Sequence, residues 1–541
     1  MARTSSTLVP TCTIWIDVDD LFQYAQANPR PSGIQRLVYE ILNVIEARAA
    51  LRADAPRIRF VRRSADGSPL SEVTLDDIAA LFQKLSGTRK TTAARSSVTC
   101  DVNRTAPTAS GRVRRAINTA RQFVTSRTDA CDRPLIQRLR HSTIRRLENM
   151  PSDISGPLLA VCVSQIRVLR QLRRHWREQR ADSVPENLQP LSATDSVSST
   201  DIHPQQQTSA DINFSPRDIF LILGAAWADP HFGERLQVIR KRHGLRPVVL
   251  LYDLIPARRP EWCAHSLVRD FRHWLDTTLP QCSHMLAIST ATARDVARYA
   301  SEAGLHLAGS VRTIPLGTGF GLAAENTSSG MVESGLTVGL PRAGTYVLFV
   351  STLEARKNHA LLFRVWRRLI QELGRENVPT LVFAGRVGWL VADLMQQLDN
   401  TEWLDGKIRL LRDPGDTELR QLYRGCMFTV FPSLFEGWGL PVTESLMLGR
   451  PCIASNSTSI PEAGGKFARY FDPENTRDAT AVIREIITSP ETLAEWRKQV
   501  ETNFPRVPWE DTADAILDAC ARAHAPEGSQ KNATNAEEPV T

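Results

Sequence analysis

The C-terminal third sets the strongest limit on the fold, because strand-length apolar runs alternate there with segments of helical spacing. The runs are Tyr346–Val350, Thr380–Ala384, Ile408–Leu411, Phe428–Phe431 and Pro451–Ala454. Between them Asn358–Leu373, Gly388–Leu398, Thr417–Tyr423 and Pro441–Leu448 read as helices. Near-continuous apolar strands separated by amphipathic helices predict a parallel sheet covered on both faces. Ligands of such a doubly wound α/β domain sit at the carboxyl ends of its strands.

The N-terminal half has the same texture with interruptions. Strand Thr13–Val18 precedes helix Ile34–Arg48, and Ile58–Val61, Ile219–Leu223, Pro247–Tyr252, Met285–Ile288 and Val311–Ile314 are further strands. Residues 85–150 are rich in Arg, Ser and Thr and read as an insertion, while 183–213 has the composition of a disordered linker. A chain of 541 residues exceeds one hydrophobic core. The expected plan is an N-terminal Rossmann-like domain over 1–320, a connector over 321–343 and a C-terminal Rossmann-like domain over 344–505. A polar tail over 526–541 is expected to be disordered.

Nine scattered cysteines without a C-x-x-C pair fit reduced thiols, and no cluster offers zinc ligands. The first ten residues lack the apolar core of a secretory signal, and no apolar run is long enough for a bilayer. The cytoplasm is therefore the expected compartment, with docking to the inner face of the cell membrane left open. Residues 84–180 carry 21 Lys and Arg against 6 Asp and Glu, more than the whole chain's net +7, so the remainder is acidic. Such a basic stretch suits anionic lipid, a polyanion or phosphate-bearing substrates. Within it, Arg167–Arg177 reads either as a membrane-docking helix or as a helix with a solvated outer face. Sparse aromatics and the lack of a recognition module argue against nucleic acid.

The most informative stretch is Phe435-Glu436-Gly437-Trp438-Gly439-Leu440-Pro441-Val442-Thr443-Glu444. A strand ends before it, glycines open a loop, and Pro441 suits the first position of a helix. Glu436 then lies in the loop and Glu444 in the first helical turn. Free amides at a helix start favour anions or hydroxyl oxygens, and Gly437 and Gly439 permit close approach to the backbone. A loop carboxylate can accept from sugar hydroxyls, and one in the helix can hold a ribose diol. On the residues alone, a plain strand-to-helix turn explains the stretch equally well.

The run from Glu436 to Glu444, continued by Ser445-Leu446-Met447-Leu448-Gly449-Arg450-Pro451, resembles the E-x7-E signature of the retaining family 4 glycosyltransferases. That resemblance implies the GT-B fold: two Rossmann-like domains facing across a cleft, with a helix over 506–525 crossing back to the N-terminal domain. It covers about 12–50 and 215–525 and leaves the basic insertion outside. Ser351-Thr352-Leu353-Glu354-Ala355-Arg356-Lys357-Asn358 is similar to the segment whose Arg/Lys pair neutralises the leaving diphosphate, with Thr352 where many relatives carry Arg. Pro31-Ser32-Gly33-Ile34-Gln35-Arg36 resembles the Gly-rich loop in which the Gly33 backbone faces the donor phosphates and acceptor. Leu251-Tyr252-Asp253-Leu254-Ile255-Pro256 resembles a His-Asp-Leu-Ile-Pro segment, so Tyr252 cannot inherit an imidazole's role. Asp253 either bonds the acceptor or caps a turn.

The resemblance further implies transfer of a hexose, mannose-type favoured, from a GDP- or UDP-linked donor to a hydroxyl with retained configuration. The acceptor class it suggests is a lipid-linked saccharide of bacterial surface polysaccharide. Catalytic candidates are Glu436, Arg356, Lys357 and Asp253. Donor-binding candidates are Gly33, Arg356, Lys357, Glu436, Gly437, Trp438, Gly439, Leu440 and Glu444. No tightly bound cofactor and no metal are expected, and Asp17-Val18-Asp19 reads as turn chemistry rather than a cation site. A nucleotide-sugar epimerase and a catalytically silent GT-B scaffold are the competing readings.

Overall fold

Two sheets organise the chain, in a computed structural model that describes residues 12–28, 31–53, 56–63, 70–86, 212–309, 311–319 and 340–525. The first begins with β1 (Thr13–Asp17), α1 (Asp19–Ala27), α2 (Gly33–Ala50), β2 (Arg57–Arg62), β3 (Ser71–Val73) and α3 (Leu75–Ser86). It continues through β4 (Ile219–Ile222), α4 (Phe232–His243), β5 (Arg246–Leu251), α5 (His265–Thr278), β6 (His284–Ala287), α6 (Thr290–Ala303) and β7 (Val311–Thr313). The strand order is β3-β2-β1-β4-β5-β6-β7, parallel except for the antiparallel edge strand β3. Along β1, Ile14 and Ile16 enter the core beneath α2, while Trp15 enters the core on the opposite face. This two-sided burial is why the strand reads as a continuous apolar run.

The second sheet comprises β8 (Tyr346–Val350), β9 (Thr380–Ala384), β10 (Ile408–Leu411), β11 (Thr429–Phe431), β12 (Cys452–Ser455) and β13 (Arg469–Phe471). Its helices are α7 (His359–Leu373), α8 (Ala392–Asn400), α9 (Asp416–Gly425), α10 (Leu440–Met447), α11 (Ile460–Gly464), α12 (Thr476–Thr488) and α13 (Pro490–Asn503). All six strands are parallel, in the order β10-β9-β8-β11-β12-β13. The chain runs outward from β8 in one direction and from β11 in the other. The gap between the carboxyl ends of β8 and β11 is thus the switch point where this architecture receives ligands. The final helix, α14 (Trp509–His524), returns to the first sheet. There it packs on α2, and Arg48 pairs with Asp514.

Several expectations need correction. The helix expected from Gly388 begins at Ala392, since Leu390 takes a left-handed φ of 57° that a helix cannot accommodate. The helix after the glycine loop starts at Leu440, which puts Glu444 in its second turn rather than its first. Helices α1, α3, α11, α12 and α13 and strands β3 and β13 were not anticipated, and α3 takes the first two residues assigned to the insertion. The rest of 85–150, the Arg167–Arg177 run, 183–211, 321–339 and 526–541 lie outside the described residues. The six described cysteines are all free thiols. Among the described residues, no helix is long and apolar enough to cross a membrane.

Candidate functional site

Beyond β8 the chain makes a tight turn, Ala355–Lys357, that carries both cations. Asn358 closes it in a left-handed conformation, φ 61°. Its side-chain amide donates to the carbonyls of Pro432 and Pro473 at 3.2 and 2.9 Å, tying this turn to the loops after β11 and β13. The loop after β11 is stapled in turn. The Glu436 amide donates to the Thr458 hydroxyl at 3.0 Å, and the Ser459 hydroxyl donates to the Glu436 carbonyl at 2.9 Å. Two loops on either side of the switch point are thereby held rigidly together.

Arg356, Lys357 and Glu436 meet between them. Arg356 pairs with Glu436 Oε2 at 2.8 Å and Lys357 Nζ with Oε1 at 2.5 Å, so each carboxylate oxygen has its own cation. Arg356 also donates to the Phe435 carbonyl at 2.6 Å and pairs with Glu354 at 2.7 Å. Burial alone would push the Glu436 carboxyl up, but the two cations overcome it and hold the group down to about 2. Lys357 is lowered by burial and by Arg356, with Glu436 opposing. Burial works against the Arg356 charge too, yet Glu436 and Glu354 keep it raised overall. The cluster is therefore ionised but internally compensated.

From the other sheet, the loop after β5 closes onto this cluster. A methyl added to Gly437 would lie 1.9 Å from the Tyr252 carbonyl oxygen and 2.9 Å from Asp253 Cβ. Asp253 caps its own turn by accepting from the Ile255 amide at 2.9 Å. Burial raises its carboxyl, with that hydrogen bond and Arg356 pulling the other way. The Tyr252 hydroxyl donates to the Leu223 carbonyl and is committed to the N-terminal core. Gly33 opens α2, where a Cβ would stand 3.6 Å from Leu440. Trp438 and Leu440 both pack against the N-terminal core, and Gly439, at φ 119°, precedes α10. Glu444 stands apart from the cations, accepting from the Tyr423 hydroxyl at 2.8 Å.

Sequence reasoning did not find three of these participants. Glu354 could have been noticed as a carboxylate two residues before Arg356. Tyr423 and Glu462 carry no local signal; Glu462 accepts from the Thr290 and Ala291 amides at 2.7 and 2.8 Å, across the two sheets. Asp17 accepts from the Asp19 amide at 3.1 Å, which is turn chemistry, and Asp19 pairs with Arg63 at 2.6 Å. Among the described residues no group of three or more His, Cys, Asp or Glu could hold a metal ion.

Two parallel Rossmann-like sheets whose glycine-bearing and cationic loops meet at the switch points define the GT-B class. Residues 338–502, which make up the C-terminal domain, match the family model of glycosyl transferases group 1. The chain is 28% identical over 276 residues to the serotype-specific mannosyltransferase WbdA of Escherichia coli, covering 50% of this chain and 32% of that protein. It is 35% identical over 144 residues to the O-antigen chain mannosyltransferase B of Escherichia coli, covering 27% and 36%. The chain thus spans about a third of the length of these curated relatives. Among solved structures, Anabaena HepE in complex with UDP is similar at 15% identity and a TM-score of 0.42, covering 56% of this chain and 79% of that one.

Proposed function

We propose that the protein is a glycosyltransferase that moves a hexose, mannose favoured, from a GDP- or UDP-linked donor to a saccharide hydroxyl with retained configuration. The observation that carries this reading is the largely buried Arg356–Lys357–Glu436 cluster at the β8/β11 switch point, closed over by the Asp253 loop. Arg356 and Lys357 would stabilise the charge that grows on the departing diphosphate, which is the largest catalytic contribution available at such a site. Because Glu436 engages both cations, donor entry is an exchange: phosphoryl oxygens take over the cations and the carboxylate turns to the sugar hydroxyls. The amides from Gly437 to Leu440 orient the sugar, Gly33 faces the phosphates, and Glu444 receives the ribose. Two fixed cations make a divalent metal unnecessary, so activity should survive EDTA.

For the acceptor, a hollow at the carboxyl ends of β1 and β4 is lined by Asp17, Asp19, Arg63, Asp229 and Arg235 beside Phe220 and Phe232. Polar edges over an apolar floor suit a saccharide. The names of the relatives support a surface polysaccharide, and the basic residues 84–180 support a lipid-linked acceptor at the cytoplasmic face of a membrane. Melting the protein with a panel of GDP- and UDP-sugars identifies the donor by stabilisation. Glu436→Ala and Lys357→Ala should each lower turnover at least a hundredfold while the protein stays folded. Near-normal transfer by either variant would refute the assignment. The complete internal pairing of the cluster favours one alternative, a silent scaffold with structural charges, which neither turnover nor stabilisation by any donor would select.

A further inference from the structure

Glu444 has one oxygen engaged and one to spare. Its Oε2 accepts from the Tyr423 hydroxyl at 2.8 Å, and the other oxygen makes no hydrogen bond among the described residues. Tyr423 is completely buried and packs with Tyr346, Leu348, Leu422 and Cys426. The Tyr346 hydroxyl donates to the Leu422 carbonyl at 2.7 Å, which clamps α9 to β8 one residue before the phenol. A donor anchored in the core is thus aimed at a carboxylate that keeps a little solvent exposure. The groups facing Glu444 are few: Tyr423 and Asp416 from α9 and Arg36 from α2, the last two paired with each other at 2.6 Å. Burial raises the Glu444 carboxyl; Tyr423 and Arg36 lower it and Asp416 raises it.

We propose that Tyr423 is the positioning residue of Glu444: its hydroxyl pins one carboxylate oxygen so that the other is held for the vicinal hydroxyls of a ribose. This rests on the reading of Glu444 as the nucleoside ligand. A pinned carboxylate accepts from two adjacent hydroxyls at once, so it distinguishes a ribonucleotide from its 2′-deoxy form. The distinction requires the ionised carboxylate. It is present above the Glu444 pKa and lost as the pH falls through it.

The test is calorimetric titration of the full chain with GDP and UDP and with their 2′-deoxy forms. The wild type should prefer the ribonucleotide about tenfold, the factor that corresponds to ~1.4 kcal/mol. Tyr423→Phe should reduce that preference to less than about twofold while leaving deoxynucleotide affinity intact, and should move the acid midpoint of the remaining preference to higher pH. Glu444→Asp, which keeps the charge but withdraws it from the phenol, should lose the preference too and guards against a poorly folded Phe variant. Full preference with an unmoved midpoint in Tyr423→Phe, or an equal loss of affinity for both sugars, overturns the role of Tyr423. A wild type indifferent to the 2′-hydroxyl overturns the reading of Glu444 and the proposal with it.

Discussion

At His359 a single residue makes the cost of burial measurable. It follows the cationic turn, is almost wholly buried, and packs its ring on Phe349 and Phe383. Burial first, and then the Lys357 charge, push the imidazole from 6.5 down to about 3. A lowered pKa means that between these values the unfolded chain binds a proton the native protein refuses. Stability from this site is therefore complete above pH 6.5 and is lost as the pH falls towards 3. By pH 5 the loss is on the order of 2 kcal/mol. His359→Leu should accordingly show a smaller drop in Tm between pH 7 and pH 5 than the wild type does. Equal drops would mean that the ring is accommodated as an imidazolium. This residue was not legible beforehand, because a histidine at a helix start gives no sign of the two phenylalanines that enclose it.

Among the elements, legibility followed burial. Five of the six C-terminal strands match to within a residue because their runs are mostly apolar, β8, β9, β11 and β12 being covered on both faces. By contrast, β13 buries only Phe471 and its run is too short to read. Helix α3 was overlooked although Ile78 and Phe82 mark its buried face, with Phe82 stacked on Tyr39 at 4.0 Å. Leu75 and Leu81 extend that face at helical spacing, but the helix runs straight into an arginine-rich stretch whose composition masks its periodicity. Loop contacts were the least legible. That Gly437 permits close approach was readable, but its neighbour is the backbone after β5, more than 180 positions away in the chain. Backbone cannot yield to a methyl as a flexible side chain can. Gly437→Ala should force the 436–440 loop off the Asp253 loop, lowering turnover at least tenfold while circular dichroism stays unchanged. Wild-type turnover in this variant would show that the two loops need not touch during transfer.

For the molecule as a whole, the two sheets are joined by a seam of unlike contacts. Trp438 packs into both cores, and Arg36 pairs with Asp416 in the open. The Trp389 indole donates to the Trp262 carbonyl at 2.9 Å. Glu462 differs from these because its two oxygens take two adjacent amides at the start of α6, a helix that offers unsatisfied donors and a partial positive charge. Hydrogen bonds to a charged group are worth about 1.5–3 kcal/mol, whereas an exposed ion pair such as Arg36–Asp416 gives about 0–1. Glu462 is then the principal polar tie across the seam, and it lies beside the stapled loop that carries Glu436. Glu462→Ala should let the sheets part more readily. The radius of gyration in small-angle scattering should grow and the KM for donor should rise several-fold. Each domain, whose core does not include Glu462, should melt as before. Asp416→Ala, which breaks the exposed pair, should leave both the radius and the KM nearly unchanged. If Asp416→Ala opens the protein as far as Glu462→Ala does, the seam is held by charge in general rather than by the helix start that Glu462 caps.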